Sequence, residues 1–119
     1  MTNLSIKKIR EEFRTEAKSL NSGSLSAYKV YLAGEYSYWS EMYSDTKIKS
    51  EEWQSERRED YKSDIATKRA WNITDDGKKQ IKLKQGLKSL EKMISAISSR
   101  LEHLKQDRIY MYQTNGGSN

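Results

Sequence analysis

Six lysines, Lys78, Lys79, Lys82, Lys84, Lys88 and Lys92, fall within residues 78–92, against the single acid Glu91. Ammonium groups at this density neutralise phosphates and release counterions, and so bind a polyanion in a salt-dependent way. A second candidate lies upstream, where YSYWSEMY packs four aromatic rings into residues 36–43. An exposed ring offers a face on which a nucleic-acid base stacks whatever its sequence, contributing about 1–3 kcal/mol per base. Covalent and metal chemistry find less to work with. His103 is the only histidine and there is no cysteine, so neither a histidine-based metal cluster nor a catalytic triad can be assembled. Carboxylates gather at Glu51, Glu52, Glu56, Glu59, Asp60 and Asp64, but Arg57, Arg58 and Lys62 are interleaved among them, as on an ion-paired solvent face. No glycine-rich phosphate loop is present. The reading is of a non-enzymatic chain with no catalytic residue, cofactor or metal.

What the lysines and rings can do depends on the elements that carry them. Of 119 residues only 34% are apolar, and the mean hydropathy is −1.01. The core that such a chain buries alone is thin. Proline is absent, so nothing interrupts long helices. Extended helices and burial against further copies of the chain are the expected solution. The net charge of +5 is uneven: residues 51–77 carry 5 basic and 8 acidic side chains, and residues 78–119 carry 9 and 3. That contrast fits contact with a polyanion on one side and with a protein on the other. No apolar run is long enough for a membrane span and no signal-peptide core opens the chain, so a cytoplasmic protein without membrane contact is expected.

The periodicity predicts an all-α protein of about three helices. In the first, about residues 5–20, Ile6, Ile9, Phe13, Ala17 and Leu20 form one stripe behind a Ser5 cap. NSGS at 21–24 ends it, with Ser22 or Ser24 placed to cap the next. The second runs from about 25 to 70 along Leu25, Tyr28, Leu32, Tyr36, Trp39, Tyr43, Trp53, Tyr61 and Ile65. Its stripe is dilute after Tyr43, and two shorter helices remain an open alternative. A turn at Asp75, Asp76 and Gly77 follows, with Thr74 or Asp75 as the next cap. The third, about 76–111, is the most regular: Leu83, Leu87, Leu90, Ile94, Ile97, Leu101 and Leu104 alternate steps of four and three. That is a heptad seam, and a heptad seam wants a partner helix, in this chain or in a neighbouring copy. Residues 113–119 read as a flexible tail, which leaves 1–112 as a single helical domain.

On the second helix Tyr36, Trp39 and Tyr43 fall within an arc of about 60° that also contains Leu25 and Leu32, and are expected in the core. Tyr38 and Tyr31 point to the other side. Trp71, beside Lys68 and Arg69, is either a stacking platform or a plug at a corner of the bundle.

The stretch AISSRLEHLKQDR, 96–108, resembles the small phage recombination mediators of the UvsY family, which show a similar Ala-Ile-x-Ser-Arg before an amphipathic helix end. MYSD at 42–45 is similar to that family's Tyr-Tyr-Ser-Gly turn, and Trp53 falls where an aromatic follows it. The two patterns lie together without a gap over about residues 39–105. The resemblance implies an α-helical protein assembling through its C-terminal helix into a hexameric or heptameric ring. It implies binding of single-stranded DNA, displacement of single-strand-binding protein, and loading of a RecA-like recombinase in DNA recombination, repair and replication. The family's Lys-x-Arg pair before the turn is Tyr38 and Ser40 here, and the turn's glycine is Asp45. DNA contact is therefore expected from Lys47, Lys49, Lys68, Arg69, Lys78, Lys79, Lys82, Lys84 and Lys88, with Tyr38 supplying stacking in place of charge.

The combined expectation is an elongated helical hairpin or bundle whose seam Leu83–Leu104 mediates homo-oligomerisation, acting on DNA in the host cytoplasm. The competing reading is a small helical phage protein that binds a host protein as an inhibitor or adaptor.

Overall fold

The computed structural model describes residues 4–116. The chain is all-helical, with no strand among the described residues. In order it forms α1 (Ile6–Glu16), α2 (Ser22–Arg57), a 3-10 turn (Arg58–Asp60), α3 (Asp64–Asn72) and α4 (Asp75–Gly116). No helix among the described residues is long and apolar enough to cross a membrane.

The expected helix over 25–70 is corrected to two. After Arg57 the backbone turns extended, with Tyr61 at φ −124°, ψ 153° and Ser63 at φ −158°, ψ 164°. Two stripe residues give the reason. Tyr61 is 38% and Ile65 67% exposed, so nothing apolar holds the inner face of a continuous helix between Trp53 and Thr67. Ser63 begins α3 instead, its side chain accepting a hydrogen bond from the backbone N–H of Ala66 at 3.1 Å. At the far end α4 continues beyond the expected fade at Met111 as far as Gly116, and residues 117–119 lie outside the described ones.

Caps set the remaining boundaries. Ser5 accepts from the Lys8 N–H at 3.1 Å. The cap of α2 is Asn21, whose Oδ1 accepts from the Ser24 N–H at 2.8 Å, in place of either serine the sequence suggested. The cap of α4 is Thr74: its hydroxyl accepts from the Gly77 N–H at 2.9 Å and donates to the Trp71 carbonyl at 2.6 Å. Gly77 is required at this corner, because a β-carbon there would stand 1.9 Å from the Trp71 carbonyl oxygen.

Where one helical domain was expected, the chain divides into two compact units: the described residues of Met1–Gly34 with Glu91–Asn119, and Glu35–Leu90. In the first unit Ile9, Leu25, Tyr28, Leu32 and Ile97 are buried. The Tyr28 hydroxyl donates to the Glu12 carboxylate, tying α2 to α1. Arg100 on α4 donates from Nη2 to the Lys18 carbonyl at 3.4 Å.

In the second unit Trp71, Leu83, Leu90 and Thr67 are buried, together with Thr46 and Ser50. These last two explain the dilute stripe of α2. Trp39, Thr46 and Trp53 follow one another at seven-residue intervals, as do Tyr43 and Ser50, so small polar residues continue the inward face. Their hydroxyls are satisfied locally: Thr46 Oγ1 donates to the Tyr43 carbonyl at 2.7 Å, and Ser50 Oγ accepts from Gln54 Nε2 at 2.7 Å. Trp71 closes the unit's end. It is 2% exposed, its ring lies 5.8 Å from that of Trp53 at 56°, and its Nε1 donates to Gln80 Oε1 at 2.6 Å.

Candidate functional site

The α4 seam does two things at once. Leu83, Leu90 and Ile97, one residue in seven, are buried within the chain at 7%, 2% and 1% exposure. Leu87, Ile94, Leu101 and Leu104, on the adjoining edge, are half-buried. Beyond the seam Ile109, Tyr110, Met111 and Tyr112 stand exposed on the last turns.

The lysines flanking the seam separate into two sets. Lys78, Lys79 and Lys82 line one open groove of about 450 Å³ in the second unit, together with Trp39, Asp75 and Leu83. At 100° per residue these three lysines span an arc of about 100° on α4. Lys84 and Lys88 are exposed but lie about 160° and 120° around the helix from Lys82, and neither borders the groove.

Trp39 is the residue that sequence reasoning missed. It sits in the arc assigned to the core, yet Tyr36, Trp39 and Tyr43 are all half-buried, and the Trp39 ring lines the lysine groove. The reason is on the facing helix. Gly86 has no side chain, and a β-carbon built there would stand 2.1 Å from Cζ3 and 2.7 Å from Cε3 of Trp39. The benzo edge of the indole occupies that space. Its Nε1 donates to Glu35 Oε2, one turn earlier on α2, at 3.2 Å. Position and tilt of the ring are thereby fixed from two sides. Gly86, inside the otherwise strong pattern of α4, is the trace of this contact in the sequence, although Gly34, as isolated in α2, has nothing within 4 Å of a β-carbon.

The other expected contacts are dispersed. Lys47 places its ammonium over the Tyr43 ring, 5.2 Å from the centroid. Lys49 borders a separate hollow of about 200 Å³ with Glu52, Trp53, Glu56, Arg57, Trp71 and Asp76, where acids offset its charge. Lys68 and Arg69 are exposed on α3, and Trp71 in the last turn of α3 is a buried plug and not a platform. Tyr38 is 60% exposed on α2. The acidic stretch is exposed, with Arg57 and Arg58 paired to Glu56 at 3.4 Å and Asp64 at 3.2 Å. Among the described residues no group of three or more acids and histidines is placed to hold a metal ion.

A second basic hollow, of about 290 Å³, belongs to the first unit, where Lys29 of α2 and Lys105 and Arg108 of α4 line it together with Glu102. Nothing in the sequence reading marked it, because its three cations are spread over eighty residues.

Chemically, the groove beside Trp39 combines three exposed lysines with one supported aromatic ring. It suits a flexible ligand that carries both phosphates and flat rings. No family model, curated protein or solved structure matches the chain.

Proposed function

We propose that the chain is a single-stranded-DNA-binding recombination mediator, which helps load a RecA-like recombinase onto DNA covered by single-strand-binding protein. The observation that carries this reading is the convergence of Lys78, Lys79 and Lys82 on one groove. The resemblance of AISSRLEHLKQDR and MYSD to the UvsY mediators supports it. Assembly into a ring of six or seven copies would bring many such grooves together, so that weak contacts combine into tight binding. The half-buried seam edge, Leu87, Ile94, Leu101 and Leu104, and the exposed Tyr110, Met111 and Tyr112 supply apolar surface for that assembly. The deciding experiment is light scattering coupled to size exclusion, with and without an oligothymidylate. The reading expects a homo-oligomer that binds the oligonucleotide with an affinity falling steeply as salt rises. A monomer indifferent to DNA would overturn it.

A second reading, an adaptor or inhibitor that docks on a protein, draws on Ile65 and Ile73, at the two ends of α3, with 67% and 74% exposure. It predicts a monomer or dimer with little affinity for the oligonucleotide.

A further inference from the structure

We infer that Trp39 is the base-stacking platform of the chain, and that the lysine groove takes a single strand of nucleic acid with one base against the indole and its flanking phosphates on Lys78, Lys79 and Lys82. The inference rests on the DNA-binding reading above and adds to it the residue that separates single strands from duplex. It also moves stacking away from Tyr38, where the sequence had put it.

Three observations converge on Trp39. First, the ring is half-buried and borders the groove that holds the three lysines. Second, it is held in place before any ligand arrives. Gly86 receives its benzo edge and Glu35 holds its Nε1 at 3.2 Å, so little side-chain freedom remains to be lost on binding. Tyr38, at 60% exposure, has no comparable support. Third, the polar atom of the indole is already satisfied, so what the ring offers the groove is hydrocarbon and π-surface. A base is the part of a nucleic acid that such a surface receives, and any base will do.

The charges fit the same occupant. The groove carries three lysines and one acid, Asp75, a net of two positive charges from its own side chains. Duplex DNA keeps its bases stacked inside and would present only phosphates here. A single strand presents both. The cations alone are indifferent to that difference, and the ring is not.

The experiment uses the full-length protein labelled with 5-fluorotryptophan, whose three indoles give three resonances; Trp39→Phe, which keeps an aromatic ring on Gly86, assigns one of them by its disappearance. An oligothymidylate is expected to shift the Trp39 resonance and to leave that of buried Trp71 in place. Heparin, a polyanion without bases, is expected to bind without moving either. In parallel, Trp39→Leu should weaken oligothymidylate binding by about 5- to 150-fold, the range that loss of one stacked base implies. Its salt slope and duplex affinity should stay as in the parent, because no charge has changed. A Trp39 resonance that stays fixed while the oligonucleotide binds overturns the inference and leaves DNA binding standing. So does Trp39→Leu binding single strands as tightly as the parent. Failure of the parent protein to bind any oligonucleotide would instead overturn the DNA-binding reading itself. Equal losses of single-strand and duplex affinity in Trp39→Leu would show the ring to be structural, and would also count against it.

Discussion

The indole of Trp39 lies where the side chain of residue 86 would be: a β-carbon on Gly86 would come within 2.1 Å of Cζ3. This single contact settles the height of the ring above α4, and with it the shape of the groove between Trp39 and Lys78, Lys79 and Lys82. It also makes Gly86 a residue of consequence although it carries no functional group.

Gly86→Ala is therefore expected to destabilise the protein. Alanine gains helix propensity of about 0.5–1 kcal/mol over glycine, but the clash with a supported indole costs about 1–3 kcal/mol, and the clash wins. Gly34→Ala is the control, since nothing lies within 4 Å of a β-carbon there. It should stabilise α2 by about 0.5–1 kcal/mol. Urea unfolding of both variants measures the difference, and equal signs for the two would refute the packing argument.

Gly77→Ala should be worse than Gly86→Ala. The added carbon meets backbone, the Trp71 carbonyl oxygen at 1.9 Å, and not the edge of a side chain that can tilt. The carbonyl it would displace also receives the Thr74 hydroxyl that helps fasten the corner. A loss of about 2 kcal/mol or more is expected, visible as a lowered thermal midpoint. A midpoint equal to that of Gly34→Ala would show that the corner relaxes freely.

Gln80→Ala removes the acceptor of the Trp71 Nε1–H at 2.6 Å and leaves a donor in a side chain that is only 2% exposed. Stability should fall by about 1–3 kcal/mol. Gln80→Glu, which keeps an acceptor, should recover most of it. If both variants unfold at the same denaturant concentration, the bond has no net worth.

Alkaline pH should weaken the first unit through Tyr28. Its phenol is pushed up from 10.0 to about 12, first by the hydrogen bond to Glu12, then by burial, then by the negative charges of Glu12 and Glu16. The folded-state value is the higher one, so the fold favours the neutral phenol. Its contribution to stability is complete below about pH 10 and is lost as pH rises towards 12. Tyr28→Phe should flatten the decline in stability over that interval relative to the parent, as urea unfolding at a series of alkaline pH values would measure. Superimposable pH profiles of parent and variant would contradict the assignment.

Neutralising the groove lysines is a separate test of the electrostatic part. Each of Lys78→Gln, Lys79→Gln and Lys82→Gln should reduce the slope of log affinity against log salt by about 0.7 for a single-stranded oligonucleotide. Lys84→Gln, on the far side of α4, should have a smaller effect in a monomer-scale complex. Equal effects from all four would mean that the charge acts diffusely over the helix and the groove has no special part.

Much of this protein was determined by its sequence alone. Alternating steps of three and four made the chain helical, the unbroken seam from Leu83 to Leu104 made α4 long, and Ser5 and Thr74 marked where helices begin, because periodicity and capping are local properties. A split of the second segment was left open by the sequence, but its place at residues 58–63 was not legible. The stripe positions Tyr61 and Ile65 are apolar in type, and only the fold shows that no partner covers them. Thr46 and Ser50 were invisible for the opposite reason: polar in type, they are buried by position, with their hydroxyls satisfied by neighbours on the same helix. The lysines were countable in the sequence, but their division into a set around Trp39 and a set facing away needed the facing helix. Whether an aromatic ring is core or surface depends on what opposes it, and for Trp39 that is a glycine forty-seven residues further along the chain.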